Sequence, residues 1–150
     1  MSCGFDILGI AVEAPGDEVE LTLTSNDYVS IQKIIGDEGR LPLAADQNTA
    51  SVAVQSFLNS IGSKQGVDIV LHKNLPLGSG MGSSAASAVA ALVGINALME
   101  SPYSKKELLT FALDAEMVAC GAAHADNAAP CLLGGCVLVR DYSPLDIIEI

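Results

Sequence analysis

The sequence predicts an α+β domain in which helices cover one face of a mixed sheet. Three observations carry this expectation. Apolar residues alternate with polar ones in an early segment, they recur at helical spacing after Asn48, and the regular strand–helix repeat of a doubly wound sheet is missing.

In Asp17–Ser25, Val19, Leu21 and Leu23 alternate with polar residues, which is strand periodicity. Tyr28–Ile34 continues as a second strand. Residues 35–47 hold two glycines, a proline and four charged residues and read as a loop. Asn48 can cap a helix over Thr49–Ile61, in which Val54, Phe57, Leu58 and Ile61 share a face and which Gly62 ends. Val67–His72 is short and β-branched, hence a strand. A glycine-rich loop, Pro76–Gly82, leads into a helix from Ser83 to about Met99. Ser104 and Glu107 form a capping box for a helix reaching Cys120. Glycine, alanine and Asn127 then mark an irregular segment. Gly134–Arg140 is a strand, and another starts in Leu145–Ile150.

The composition narrows the function. The chain has 150 residues, half of them hydrophobic and 17% charged, which suits one soluble globular domain. A formal charge of -11, with three Phe, three Tyr and no Trp, opposes binding to nucleic acid or anionic membranes, both of which require basic surface. The most apolar stretch, Ala85–Leu98, is interrupted by Ser87, Gly94 and Asn96, whereas a membrane span needs about 20 apolar residues. The N-terminus lacks the basic start of a signal peptide. Cys3, Cys120, Cys131 and Cys136 form no C-x-x-C pair, and only two histidines are present to complete a zinc site. They read as reduced thiols in a cytoplasmic protein, used as small buried hydrophobes.

The most informative stretch is Pro76-Leu77-Gly78-Ser79-Gly80-Met81-Gly82-Ser83-Ser84-Ala85-Ala86. Glycines at alternate positions let the backbone turn tightly and expose its N–H groups. The helix that follows adds its unpaired first-turn N–H groups and the positive end of its dipole. Together they form an anion site that needs no basic side chain, which reconciles phosphate binding with an acidic chain. The Walker pattern fails because Gly82 is followed by Ser83 rather than lysine. A dinucleotide fingerprint fails because position 83 is not glycine.

Four more residues gain meaning beside such a loop. Asp6 follows Cys3-Gly4-Phe5 and by itself is a loop carboxylate. Glu116 falls late on a helix, where carboxylates are ordinarily solvated, yet next to phosphates it becomes a candidate Mg²⁺ ligand. His124 and Asp126 stand two apart and would point the same way in extended backbone. Histidine is more often structural than a ligand, so only the combination argues for chemistry.

The loop resembles the second conserved motif of the GHMP family of small-molecule kinases, and Cys3-Gly4-Phe5-Asp6 followed by Gly9 resembles the end of the first, with Cys3 where proline is usual. Glu116, Gly121, His124, Asp126, Asn127, Pro130 and Gly134-Gly135 are spaced as in the family's homoserine kinase branch. The resemblance implies a ribosomal protein S5 domain 2-like fold, with the whole chain an incomplete N-terminal ATP-binding domain. It implies ATP and Mg²⁺ as cofactors, with Pro76–Ala86 around the phosphates and Ser84 and Glu116 on the metal. Asp6, His124 and Asp126 would hold L-homoserine. Asp126 is also the reachable candidate for a catalytic base, although the resemblance assigns it to substrate binding. Family members carry a second, ferredoxin-like domain and an asparagine that would precede Met1, so these 150 residues alone are expected to turn over poorly. A homodimer is a further expectation for the full-length protein. The alternatives are another GHMP kinase, acting on a mevalonate-like or sugar hydroxyl, or a nucleotide-binding piece without turnover.

Overall fold

The alternating segment at Asp17–Ser25 becomes a strand, and the segment of helical period after Asn48 becomes a helix. In chain order the elements are β1 (Leu8–Ile10), β2 (Glu18–Thr24), β3 (Val29–Ile35), α1 (Thr49–Ser60), β4 (Gly66–His72), α2 (Ser83–Leu98), α3 (Lys105–Cys120), α4 (Ala125–Leu133), β5 (Cys136–Tyr142) and β6 (Leu145–Glu149). The computed structural model describes residues 4–150, so Cys3 of the first motif lies outside them.

The strands form two three-stranded sheets. One is mixed, in the order β2-β4-β3, with β4 antiparallel to β2 and parallel to β3. The parallel pair requires a crossover, which α1 supplies. The other sheet, β1-β5-β6, is antiparallel. Helices α1, α2 and α3 pack on one another and α2 rests against β2, so the α+β class and the helix layer agree with expectation. Phe57, Leu58, Val54, Ile69, Leu71, Leu92 and Ile95 fill the space between the helices and the mixed sheet. Ala85, Ala88 and Ala91 on α2 are fully buried, and their small size lets its neighbours approach closely.

The caps explain where the helices begin. Asn48 Oδ1 accepts from Ala50 N–H (3.1 Å), and Ser104 and Glu107 cap each other reciprocally. Helix α2 differs: its N-cap is Gly82 in the left-handed conformation, and no side chain caps its first turn. Its first backbone bond runs from Ala86 N–H to the Gly82 carbonyl, which leaves the N–H groups of Ser83, Ser84 and Ala85 without helical acceptors.

Three expectations need correction. Residues 125–133 are not irregular but form α4, and His124 and Asp126 stand at its start rather than in extended backbone. The presence of Pro130 inside the segment masks it in the sequence. Pro130 has no N–H to give the carbonyl of Asp126 four residues earlier, and Gly9 of β1 packs against that freed carbonyl. A Cβ at Gly9 would lie 1.8 Å from the Asp126 oxygen, so β1 and α4 can meet here only through glycine. Finally, the described cysteines are not buried hydrophobes: Cys120 and Cys131 are exposed and Cys136 is half-buried, all as free thiols. No described helix is long and apolar enough to cross a membrane.

Candidate functional site

The phosphate-loop sequence Pro76–Ser84 lines a cavity of about 390 Å³. Gly78, Gly80 and Gly82 all have φ between 71° and 76°, a region that residues with a Cβ enter at a cost of roughly 1–2 kcal/mol. The alternating glycines therefore serve backbone geometry, and the open first turn of α2 faces the same space. Ala85 and Ala86 do not share this wall: Ala85 is fully buried beneath it, and Ala86 lines a second cavity.

Opposite the loop, the first cavity is lined by Leu41, Pro42, Gln47, Asn48 and Thr49. Asp37 shapes this lip by accepting from Gly39 N–H (3.2 Å) and Leu41 N–H (3.0 Å). Ser84 and Glu116 both line the cavity, so the two expected metal ligands share it. Glu116 is 3% exposed and accepts one hydrogen bond, from His124 N–H (3.0 Å). Burial raises its carboxyl pKa, against the opposing pull of that bond. Two hard oxygen donors beside a phosphate cradle suit a Mg²⁺ ion that completes its shell with water and phosphate.

A second cavity, of about 410 Å³, is lined by Asp6, Asp126, Gly9, Pro130 and Cys131 among others. Gly80, Met81, Gly82 and Asn127 border both cavities, so the glycine loop is their common wall. The ligand atoms of Asp6, His124 and Asp126 lie within 4.8 Å of one another, with His124 Nδ1 3.9 Å from Asp6 Oδ1. His124 lines the first cavity, so it meets the two carboxylates from the other side of the wall. Asp126 Oδ1 is inaccessible to solvent and has no hydrogen-bond partner. Burial raises the Asp126 pKa, Asp6 adds to the rise, and His124 opposes it. Two carboxylates this close, one of them partly buried, repel each other and would be relieved by a cation such as an ammonium group.

Sequence reasoning missed one buried ion pair beside this cavity. Beneath the loop, Asp17 and Lys73 form a buried ion pair whose side chains are 0% and 3% exposed. Burial works to raise the Asp17 pKa, but hydrogen bonds from Lys73, Leu75 N–H and Ser83 outweigh it and hold it below the usual range. A depressed carboxyl contributes stability above its unfolded pKa and loses it as pH falls through the folded value, so this pair is acid-labile. Among the described residues lining the first cavity, Lys73 is the only lysine or arginine.

Residues 48–135 match the family model described as the GHMP kinases N terminal domain. The chain is 54% identical to a homoserine kinase of Chlorobaculum tepidum, over its whole length and 49% of that protein. A homoserine kinase of Xylella fastidiosa is 42% identical over 92% of this chain and 43% of its own. The crystal structure of homoserine kinase from Cytophaga hutchinsonii superposes with a TM-score of 0.97 at 53% identity, covering 99% of this chain and 47% of that one. A mevalonate kinase from Methanococcus jannaschii shares the fold at 16% identity, with a TM-score of 0.69 over 88% of this chain and 45% of that one. The chain thus spans about half the length of the relatives it matches.

Proposed function

This chain belongs to the GHMP kinase family, and from that premise we propose that it carries the ATP-binding part of a cytoplasmic enzyme that phosphorylates L-homoserine. The γ-phosphoryl group of ATP passes to the side-chain hydroxyl, giving O-phospho-L-homoserine and ADP. The observation that carries this reading is the shared wall. A phosphate cradle and a dicarboxylate pocket back onto the same loop, so a phosphoryl group held on one side is close to an acceptor held on the other.

Phosphoryl transfer asks the protein mainly for positioning and charge neutralisation. The loop N–H groups and the first turn of α2 hold the phosphates, while Leu41 and Pro42 offer an apolar lip to the base. Ser84 and Glu116 would hold Mg²⁺, which when bound offsets the negative charge of the phosphates. Asp6 and Asp126 bind the substrate ammonium and thereby orient its hydroxyl toward the loop. His124 stands beside Asp6 and adds a third polar group to that pocket. Asp126 is also the candidate for a base.

The deciding experiment is ADP release by the full-length protein. Homoserine should stimulate it strongly, and mevalonate or sugar acceptors should not; stimulation by one of those instead would move the chain to another branch of the family. Replacing Glu116 with glutamine keeps size and removes charge. The gain in nucleotide affinity on adding Mg²⁺ should then shrink about tenfold, roughly 1.4 kcal/mol, with metal-free affinity unchanged. Titrations with and without Mg²⁺ that respond equally would remove Glu116 from the metal site.

A further inference from the structure

We propose that Asp17 is the positioning residue of the phosphate loop: its carboxylate ties the strand that enters the loop to the helix that leaves it. Each oxygen serves one stem. Asp17 Oδ1 accepts from Asn74 N–H and Leu75 N–H, both at 2.9 Å, just after β4. Asp17 Oδ2 accepts from Ser83 Oγ (2.8 Å) and Ser87 Oγ (3.2 Å) on α2, and from Lys73 Nζ. Only a carboxylate offers two acceptor oxygens with enough lone pairs for such a set.

Between these stems the loop has little else to hold it. Within Pro76–Gly82, the one side-chain hydrogen bond among the described residues is internal, from Ser79 Oγ to the Pro76 carbonyl. Cβ atoms built at Gly78 and Gly80 meet nothing within 4 Å. The glycines make the loop able to curve around phosphate, and the anchored stems decide which curve it takes.

The same network removes Lys73 from the list of phosphate ligands. Besides Asp17, its ammonium donates to the Ser83 carbonyl (2.9 Å) and to Ser87 Oγ, so all three of its donors are engaged. Lys73 lines the cavity as the counter-ion of Asp17.

This inference rests on reading the first cavity as a nucleotide site, so the experiment measures loop order as well as binding. In the full-length protein, Asp17→Asn is compared with wild type by calorimetry with MgADP and adenosine, and by hydrogen exchange. An asparagine amide keeps one acceptor and turns a donor toward Lys73 and the two serines. MgADP should bind at least tenfold more weakly, adenosine within twofold of wild type. The amides of residues 77–86 should exchange at least tenfold faster while α1 and β4 are unchanged. Lys73→Met leaves Asp17 four other donors, and MgADP affinity should fall less than threefold. Equal losses for MgADP and adenosine, or unchanged loop exchange, would reduce Asp17 to a purely structural residue. A Lys73→Met loss as large as that of Asp17→Asn, with loop exchange unchanged, would make the lysine itself the phosphate ligand and overturn the assignment. Should Asp17→Asn fail to fold, Ser87→Ala breaks one tie to the exit stem, and unchanged loop exchange there would count equally against the proposal. A wild-type protein that does not bind MgADP would defeat the nucleotide reading alone, with loop exchange still deciding the clamp.

Discussion

Valine in place of Gly82 is expected to weaken nucleotide binding at least about hundredfold, roughly 2.7 kcal/mol, while the helix layer stays folded. Two effects combine. Gly82 has φ of 71°, where a β-branched residue is strongly disfavoured. Its Cβ would also approach the side chain of Asn127 to 3.1 Å, tighter than an ordinary contact. Relief of either strain swings the N-cap of α2 and misdirects the first-turn N–H groups. Asn127 borders both cavities, so the acceptor pocket should be disturbed with the cradle. Calorimetric titration with MgADP, alongside a melting curve, checks this. A folded variant retaining affinity within threefold would remove the loop from the nucleotide site.

The second large effect concerns the acceptor. Asp126→Asn should lower kcat/KM for homoserine by about 10²–10³, or ~2.7–4.1 kcal/mol of transition-state stabilisation, with MgADP affinity held within twofold. One oxygen of the carboxylate, Oδ1, is out of reach of solvent and has no hydrogen-bond partner, so the group's attraction for an ammonium is screened less than on an open surface. The pH profile provides a second readout. The Asp126 pKa lies above the ordinary carboxylate range, so protonation on acidification begins earlier than for a free aspartate. The homoserine KM of the wild type should rise as pH falls through that raised value, and Asp126→Asn should flatten this limb. His124→Leu should weaken homoserine use in the same direction by a smaller factor. Kinetics unchanged by both substitutions would place the acceptor elsewhere.

Much of this architecture can be read from local pattern. The cap at Asn48, the capping box at Ser104 and Glu107, and the strands on either side of α1 follow from residues a few positions apart. The loop is legible because its glycines are needed for backbone angles and so stand at fixed spacing. Helix α4 escapes notice because nine residues that include a proline give a weak periodic signal, and because its stability comes from packing on β1, α2, α3 and β5. The clamp is invisible for another reason. Asp17 and Lys73 are 56 residues apart, and each reads in sequence as an ordinary charge flanking a strand. Only folding reveals that both are dry. The signal available beforehand was a single lysine three residues before the loop, in a chain with seven lysines and arginines altogether.

The common wall also changes what a ligand can gain from this protein. The two cavities are divided by two glycines, one methionine and the side chain of Asn127, rather than by a layer of core. A molecule joining a nucleotide diphosphate to an amino-acid head would need only a short tether to occupy both. With the span matched, the second half would bind at the millimolar effective concentrations typical of short linkers. Such a bridged compound should therefore outcompete either half by orders of magnitude. Its head group would decide which kinases of this fold it spares, because the nucleotide half would be common to them.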